Sequence, residues 1–269
     1  MTRISQVIQQ STSTCTCALI VFITAGDPNL NITKAALEIL DKSGVNVIEL
    51  GLPYSVPLAD GPIIQTASNR ALMQDTNLDK ILNMLNKVNL TITTPIILFT
   101  YYNPVLSRGI FTFICDISRV GVKGLIIPDL PFEESAYIAY LCDQFSIELI
   151  FLIAPTSTVT RIHKIAKKSS SCIYLVSKTG VTGMHTNKEM FINSLITKVK
   201  KITSKPLIVG FGISTLNHIR SFHQLDIEGI VLGSAFVQRL ANQTIKTKLE
   251  EISEFCHAIK QITTRNSQA

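Results

Sequence analysis

Two carboxylates stand on either side of a proline-containing loop in the stretch VIELGLPYSVPLADGPIIQ, residues 47–65. Glu49 is flanked by Ile48 and Leu50 in an apolar run, where a carboxylate is costly to bury unless it has a task. Asp60 lies in ADGP, which is also an ordinary turn composition. Burial of such groups perturbs their titration, and a strand carboxylate beside a loop carboxylate is a constellation for a reactive site. Asp129, in IIPDLP, also falls at an element end and is open to a structural or a chemical role.

A second cluster points to an anion. VGFGIS (209–214) and VLGSAF (231–236) each close an apolar run with glycine, and Ser214 and Ser234 are placed to start helices. Glycines let backbone N–H groups come close to a phosphate, and a helix N-terminus adds partial positive charge. A packing role for the same glycines is the alternative. SKTGVTG (177–183) adds a glycine-rich loop of the kind that closes as a lid. The substrate class this suggests is a phosphate ester.

These residues need a frame that brings them together. Short apolar, β-branched runs occur at 18–24, 46–50, 95–100, 123–128, 148–153, 172–176, 206–210 and 229–233. Their hydrophobicity is continuous rather than alternating, as in parallel strands covered on both faces. Amphipathic segments such as ITKAALEILDKSG and FEESAYIAYLCDQF separate them, the first ending on Gly44. The pitch fits a (β/α)₈ TIM barrel forming one domain over residues 1–269, its core at about 18–262. ISQVIQQ reads as a short leading helix and TKLEEISEFCHAIKQI as a final one. An open doubly wound sheet is the rival, weakened because no GxGxxG follows the first run. In a barrel the strand C-termini form the active face, so Glu49, Asp60, Asp129 and Tyr174 converge on one mouth.

Composition narrows the partners. The net charge is +6, yet the lysines are scattered and the densest cluster, KVKKITSK (198–205), contains no aromatic, so no nucleic-acid role is expected. Six cysteines show no CxxC pair and no histidine at ligand spacing, which predicts reduced thiols and no metal. CTCALIVFIT (15–24) is too short to span a membrane and runs straight into AGDP, so it reads as a strand, and neither a membrane association nor a targeting signal is expected.

In order along the chain, FITAGDP, IELGLPYSVPLADGPIIQ, TYYNP, IIPDLPFEE, APTS, SKTGVTG, VGFGIST and LGSAFV resemble the tryptophan synthase alpha chain family over about residues 20–240. The resemblance implies a barrel that cleaves indole-3-glycerol phosphate to indole and glyceraldehyde 3-phosphate in tryptophan biosynthesis. It implies a retro-aldol reaction with no metal or organic cofactor, and a beta chain partner that carries pyridoxal phosphate, receives the indole and forms an alpha2-beta2 heterotetramer. By the same resemblance Glu49 is the general acid and base and Asp60 accepts the indole N–H. Phe22, Tyr174 and Phe211 line the indole pocket, Tyr101 lies nearby, and Gly183, Gly212, Gly233 and Ser234 hold the phosphate. Thr182 matches the lid threonine that positions the catalytic loop. For the aromatic residues a core role is the alternative.

One departure stands out. The family commonly has SDP where this chain has Ser55-Val56-Pro57, so a loop carboxylate expected at the beta-chain contact is missing. Lys178, where some members have Arg, is a milder change. A free-standing indole-3-glycerol-phosphate lyase and a non-catalytic subunit that activates a beta chain are the alternatives. Retention of both carboxylates and of the glycine cluster speaks against the second. The expected compartment is the cytoplasm, or the plastid stroma for an organelle-encoded copy.

Overall fold

A computed structural model describes residues 3–13, 17–176, 188–210, 216, 219–220, 225–241 and 245–263. Its parallel strands are β1 (Ala18–Thr24), β2 (Val47–Gly51), β3 (Ile96–Phe99), β4 (Gly124–Ile126), β5 (Glu148–Leu149), β6 (Phe151–Ile153), β7 (Ile173–Val176), β8 (Leu207–Gly210) and β9 (Gly229–Leu232). The order around the sheet is β5-β4-β3-β2-β1-β9-β8-β7-β6. β5 and β6 are two halves of the fifth run read from the sequence, interrupted at Ile150. The first half pairs with β4 and the second with β7, so this one run bridges both ends of the sheet and the barrel is nearly closed. The eight runs of the sequence are therefore eight staves, one of them split.

Side-chain alternation along each stave produces two cores. Ala18, Ile20 and Phe22 face the barrel interior with Val47, Ile97, Ile126, Ile150, Tyr174, Ile208 and Val231. Leu19, Val21, Ile23, Ile48 and Leu50 face outward into the larger layer between sheet and helices. Glu49 lies between Ile48 and Leu50 on β2, so the pleat alone turns it inward.

The helices that fill the outer layer include α1 (Ile4–Ser13), α2 (Leu30–Lys42), α3 (Pro62–Met73), α4 (Leu78–Val88) and α5 (Tyr102–Arg108). The predicted start of α2 is moved forward to Leu30 because the Asn29 side chain caps it, accepting from the Ile32 N–H. It ends at Lys42, two residues before Gly44, whose φ of +70° is left-handed backbone that glycine tolerates. The segment FEESAYIAYLCDQF begins instead with a 3₁₀ turn, Phe132–Glu134, before the α-helix Ser135–Gln144.

The leading helix has a defined task. Ile4 and Ile8 are fully buried in the interior cluster, where each contributes about 2 kcal/mol by leaving water. Ser5 donates to the Glu148 carboxylate through its backbone N–H at 3.0 Å and its hydroxyl at 2.7 Å, and the Ser171 hydroxyl adds a third bond at 2.6 Å. Helix α1 thus closes the floor of the barrel, opposite the strand C-termini.

The basic cluster near residue 200 is engaged inside the fold. Lys198 donates to the Ser157 carbonyl, Lys200 pairs with Asp226 and Glu228, and Lys205 donates to the Ala166 and Ser169 carbonyls. Among the described residues, five cysteines are free and no helix is long and apolar enough to cross a membrane.

Candidate active site

Glu49 is 2% exposed, and its Oε2 has no hydrogen-bond partner in the protein. It sits beside Phe22 on one neighbouring stave and Ile97 on the other. Burial, and after it the negative charge of Asp60, push the Glu49 carboxyl up to about 8. Asp60, half-buried in the loop after β2, is pushed to about 6 by burial, with the Tyr101 hydroxyl pulling the other way. The two carboxylates therefore differ in charge over a range around neutrality.

The loop holding Asp60 is tied to the wall behind it. Tyr101, 2% exposed and two residues past β3, accepts a hydrogen bond from the Ala59 N–H at 3.0 Å. Tyr54, from the same loop as Asp60, stacks on the Tyr101 ring with centroids 5.1 Å apart. Edge contacts continue the wall from Tyr101 to Phe99 at 6.2 Å and from Phe99 to Phe22 at 5.8 Å. Past Asp60, α3 is anchored by Arg70, which makes two 2.8 Å bonds to Asp27, itself 1% exposed.

Phe22 gains its place from missing side chains. A Cβ at Gly51 would meet the Phe22 ring at 2.5 Å, and one at Gly233 would meet it at 3.3 Å. On the far wall Tyr174 is buried, and a Cβ at Gly210 would overlap its hydroxyl. Burial, then Glu49, Asp60 and Cys172, raise the Tyr174 hydroxyl well above its ordinary value, so it is a neutral phenol facing the carboxylate pair. Gly233 follows the last stave directly and Ser234 begins the helix Ser234–Ala241. The N–H groups of Ser234 and Ala235 precede any intrahelical acceptor and suit an anion, whereas the Phe236 N–H already bonds the Gly233 carbonyl at 2.9 Å.

The structure thus brings Glu49, Asp60, Phe22, Tyr101, Tyr174, Gly233 and Ser234 to one end of the barrel. Thr182, Gly183, Phe211 and Gly212, with Lys178 and Ser214, lie outside the described residues. Asp129, ambiguous in the sequence, accepts from the Tyr102 N–H at 2.8 Å and caps α5. Tyr54 is the neighbour that sequence reading missed; its signal was an aromatic inside the loop between the two carboxylates. A separate polar cavity of about 300 Å³, lined by Arg3, Lys123, Asp143, Ser146, Ile147, Glu148 and Ser170, lies at the floor. There Glu148 is already bonded to Ser5 and Ser171.

A parallel eight-stave barrel with one buried and one half-buried carboxylate and a helix N-terminus at its mouth places the chain in the class of (β/α)₈ barrels with a site at the strand C-termini. The family model described as "Tryptophan synthase alpha chain" matches residues 8–264. A tryptophan synthase alpha chain from Pyropia yezoensis is 57% identical over 91% of this chain and 93% of its own length. Among solved structures, tryptophan synthase from M. tuberculosis in an aminoacrylate-bound form superposes with a TM-score of 0.85 at 27% identity, covering 96% of this chain and 100% of that one. A tryptophan synthase complex from Pyrococcus furiosus gives 0.81 at 28% identity, covering 91% and 98%. The chain belongs to the tryptophan synthase alpha chain family. It is the lyase subunit, which cleaves indole-3-glycerol phosphate to indole and glyceraldehyde 3-phosphate.

Proposed function

We propose that Glu49 and Asp60 carry out this cleavage by shuttling one proton. Protonated Glu49 gives its proton to indole C3, and the positive charge that appears on the ring nitrogen is met by ionised Asp60 through the N–H. Glu49, now a carboxylate, takes the proton from the hydroxyl on the carbon attached to C3. The C3–carbon bond breaks, its electron pair restores the indole ring, and that carbon leaves as the aldehyde of glyceraldehyde 3-phosphate. Glu49 ends protonated, as it began. The observation that carries this reading is geometric: Glu49 is buried on β2 with its Oε2 unpartnered in the protein, Asp60 is half-buried on the loop that follows, and burial pushes both carboxyls above their ordinary values.

Phe22, Tyr174 and Phe211 are proposed to enclose the ring, with Tyr101 behind Asp60. Gly183, Gly212, Gly233 and Ser234 are proposed to receive the phosphate, and Thr182 to position the Asp60 loop. The chemistry needs proton transfer alone, so no cofactor is assigned to this chain; pyridoxal phosphate belongs to the beta chain. An alpha2-beta2 assembly with that chain is supported by the likeness to the P. furiosus complex. Exposed Val56, in place of the family's loop carboxylate, favours a second reading of looser coupling and indole release without a partner. Relatives from red algae fit a plastid stroma, with the cytoplasm as the other site of action.

The test is Glu49→Gln, which keeps shape and removes proton transfer. Cleavage is expected to fall by about 10²- to 10⁴-fold with binding of glycerol phosphate retained. Activity within about threefold of wild type removes Glu49 from this role.

A further inference from the structure

Among the described residues, two buried side-chain polar atoms lack a hydrogen-bond partner in the protein: Glu49 Oε2 and Thr24 Oγ1. The first has a role. The second, on a residue 2% exposed, has none so far. A hydroxyl buried without a partner is unfavourable and uncommon in native proteins, and such an atom beside a reactive group marks a place where a ligand completes the bonding.

The strand pleat fixes where Thr24 faces. Ala18, Ile20 and Phe22 point into the barrel while Leu19, Val21 and Ile23 point out, so Thr24 is next in the inward series and the last residue of β1. In register, Phe22 lies beside Glu49 and Thr24 beside Gly51, one inward position nearer the rim than the carboxylate. On the other side β1 runs next to β9, with Val21 beside Leu232, and Phe22 lies against Gly233. Thr24 therefore stands over Phe22, between the stave of Glu49 and the start of the helix Ser234–Ala241. Gly51 offers it no side chain from the next stave.

The substrate spans that interval. Its ring must reach Glu49 and its phosphate the helix start, and a three-carbon chain joins them. The hydroxyl on the first carbon reacts; the hydroxyl on the middle carbon does no chemistry. We infer that Thr24 Oγ1 hydrogen-bonds this middle hydroxyl, making Thr24 a substrate-contacting residue that selects for a dihydroxylated chain. The inference rests on the proposed roles of Glu49 and the glycine-serine phosphate site.

It is tested with two substrates, indole-3-glycerol phosphate and its analogue lacking only the middle hydroxyl, which keeps the reacting one and remains cleavable. Thr24→Val preserves shape and is expected to lower kcat/KM for the natural substrate about five- to tenfold, the effect of one neutral hydrogen bond. The same substitution is expected to change kcat/KM for the deoxy analogue less than about twofold, since the partner is already gone. Thr24→Ser keeps the hydroxyl and is expected to keep the wild-type preference between the substrates. Equal losses on both substrates, or none on either, overturn the inference while leaving Glu49 and Asp60 in place. Loss of the wild-type preference in Thr24→Ser also overturns it. A wild-type protein that cleaves neither substrate overturns it together with the proposed reading.

Discussion

The hydroxyl of Tyr101 accepts a 3.0 Å hydrogen bond from the backbone N–H of Ala59, so a residue buried in the barrel wall grips the loop one position before Asp60. The same hydroxyl faces the Asp60 carboxylate and favours its ionised form.

Tyr101→Phe is therefore expected to move the acid limb of the kcat/KM profile above its position near pH 6, because Asp60 loses the partner that opposes its desolvation. A fall of about tenfold at neutral pH should accompany it. An unmoved acid limb, measured between pH 5 and 9, removes Tyr101 from this role.

Glu49 also links stability to pH. Its folded value of about 8 lies above its ordinary value of 4.5, so the folded state holds this proton more tightly than the unfolded chain. The stability that results is fully present below about pH 4.5 and is lost as pH rises through about 8. Glu49→Gln has no such proton to lose. Its stability relative to wild type should climb from pH 5 to pH 9, by about 1 kcal/mol or more in unfolding free energy, read from denaturant melts at each pH. A difference that stays constant with pH shows that the carboxyl is not perturbed by folding.

Gly233→Val places a side chain 3.3 Å from the Phe22 ring and 3.6 Å from Ile64. It should raise the KM for substrate and weaken inhibition by glycerol phosphate, each by about tenfold or more, by crowding both ring and phosphate. Gly61→Ala is the control, since nothing lies within 4 Å of a Cβ there. Equal glycerol phosphate inhibition in all three proteins would place the phosphate elsewhere.

Val56, 54% exposed, shares its loop with Asp60. A carboxylate there is expected to give a beta chain a charged handle with which to favour the closed loop, a coupling of about 1–3 kcal/mol. In Val56→Asp, indole production alone should match wild type, and stimulation by a beta chain from the same source should increase. Identical stimulation in both proteins excludes position 56 from the switch.

The staves were legible because a parallel strand covered on both faces is apolar throughout; the run 18–24 coincides with β1 residue for residue. The break at Ile150 was not, since ELIFLI is as apolar at the gap as on either side and only the change of pairing partner interrupts it. The inward, buried place of Glu49 was legible in a charge set inside such a run. Asp129 did not, because a capping carboxylate and a catalytic one look alike until the N–H of Tyr102 is seen beside it. The pairing of Asp27 with Arg70 was equally silent, being a contact between residues far apart in the chain. Tyr54 was hidden by its own loop, whose prolines and carboxylate drew the reading away from an aromatic that stacks only once the chain turns back on Tyr101.

The closed floor has a consequence for traffic. With Ile4 and Ile8 filling the lower end of the barrel and Ser5 latched to Glu148, arrivals and departures share the rim where Asp60 resides. The barrel then behaves as a dead-end street rather than a thoroughfare, in which whatever is parked deepest must wait for what stands nearer the entrance to move.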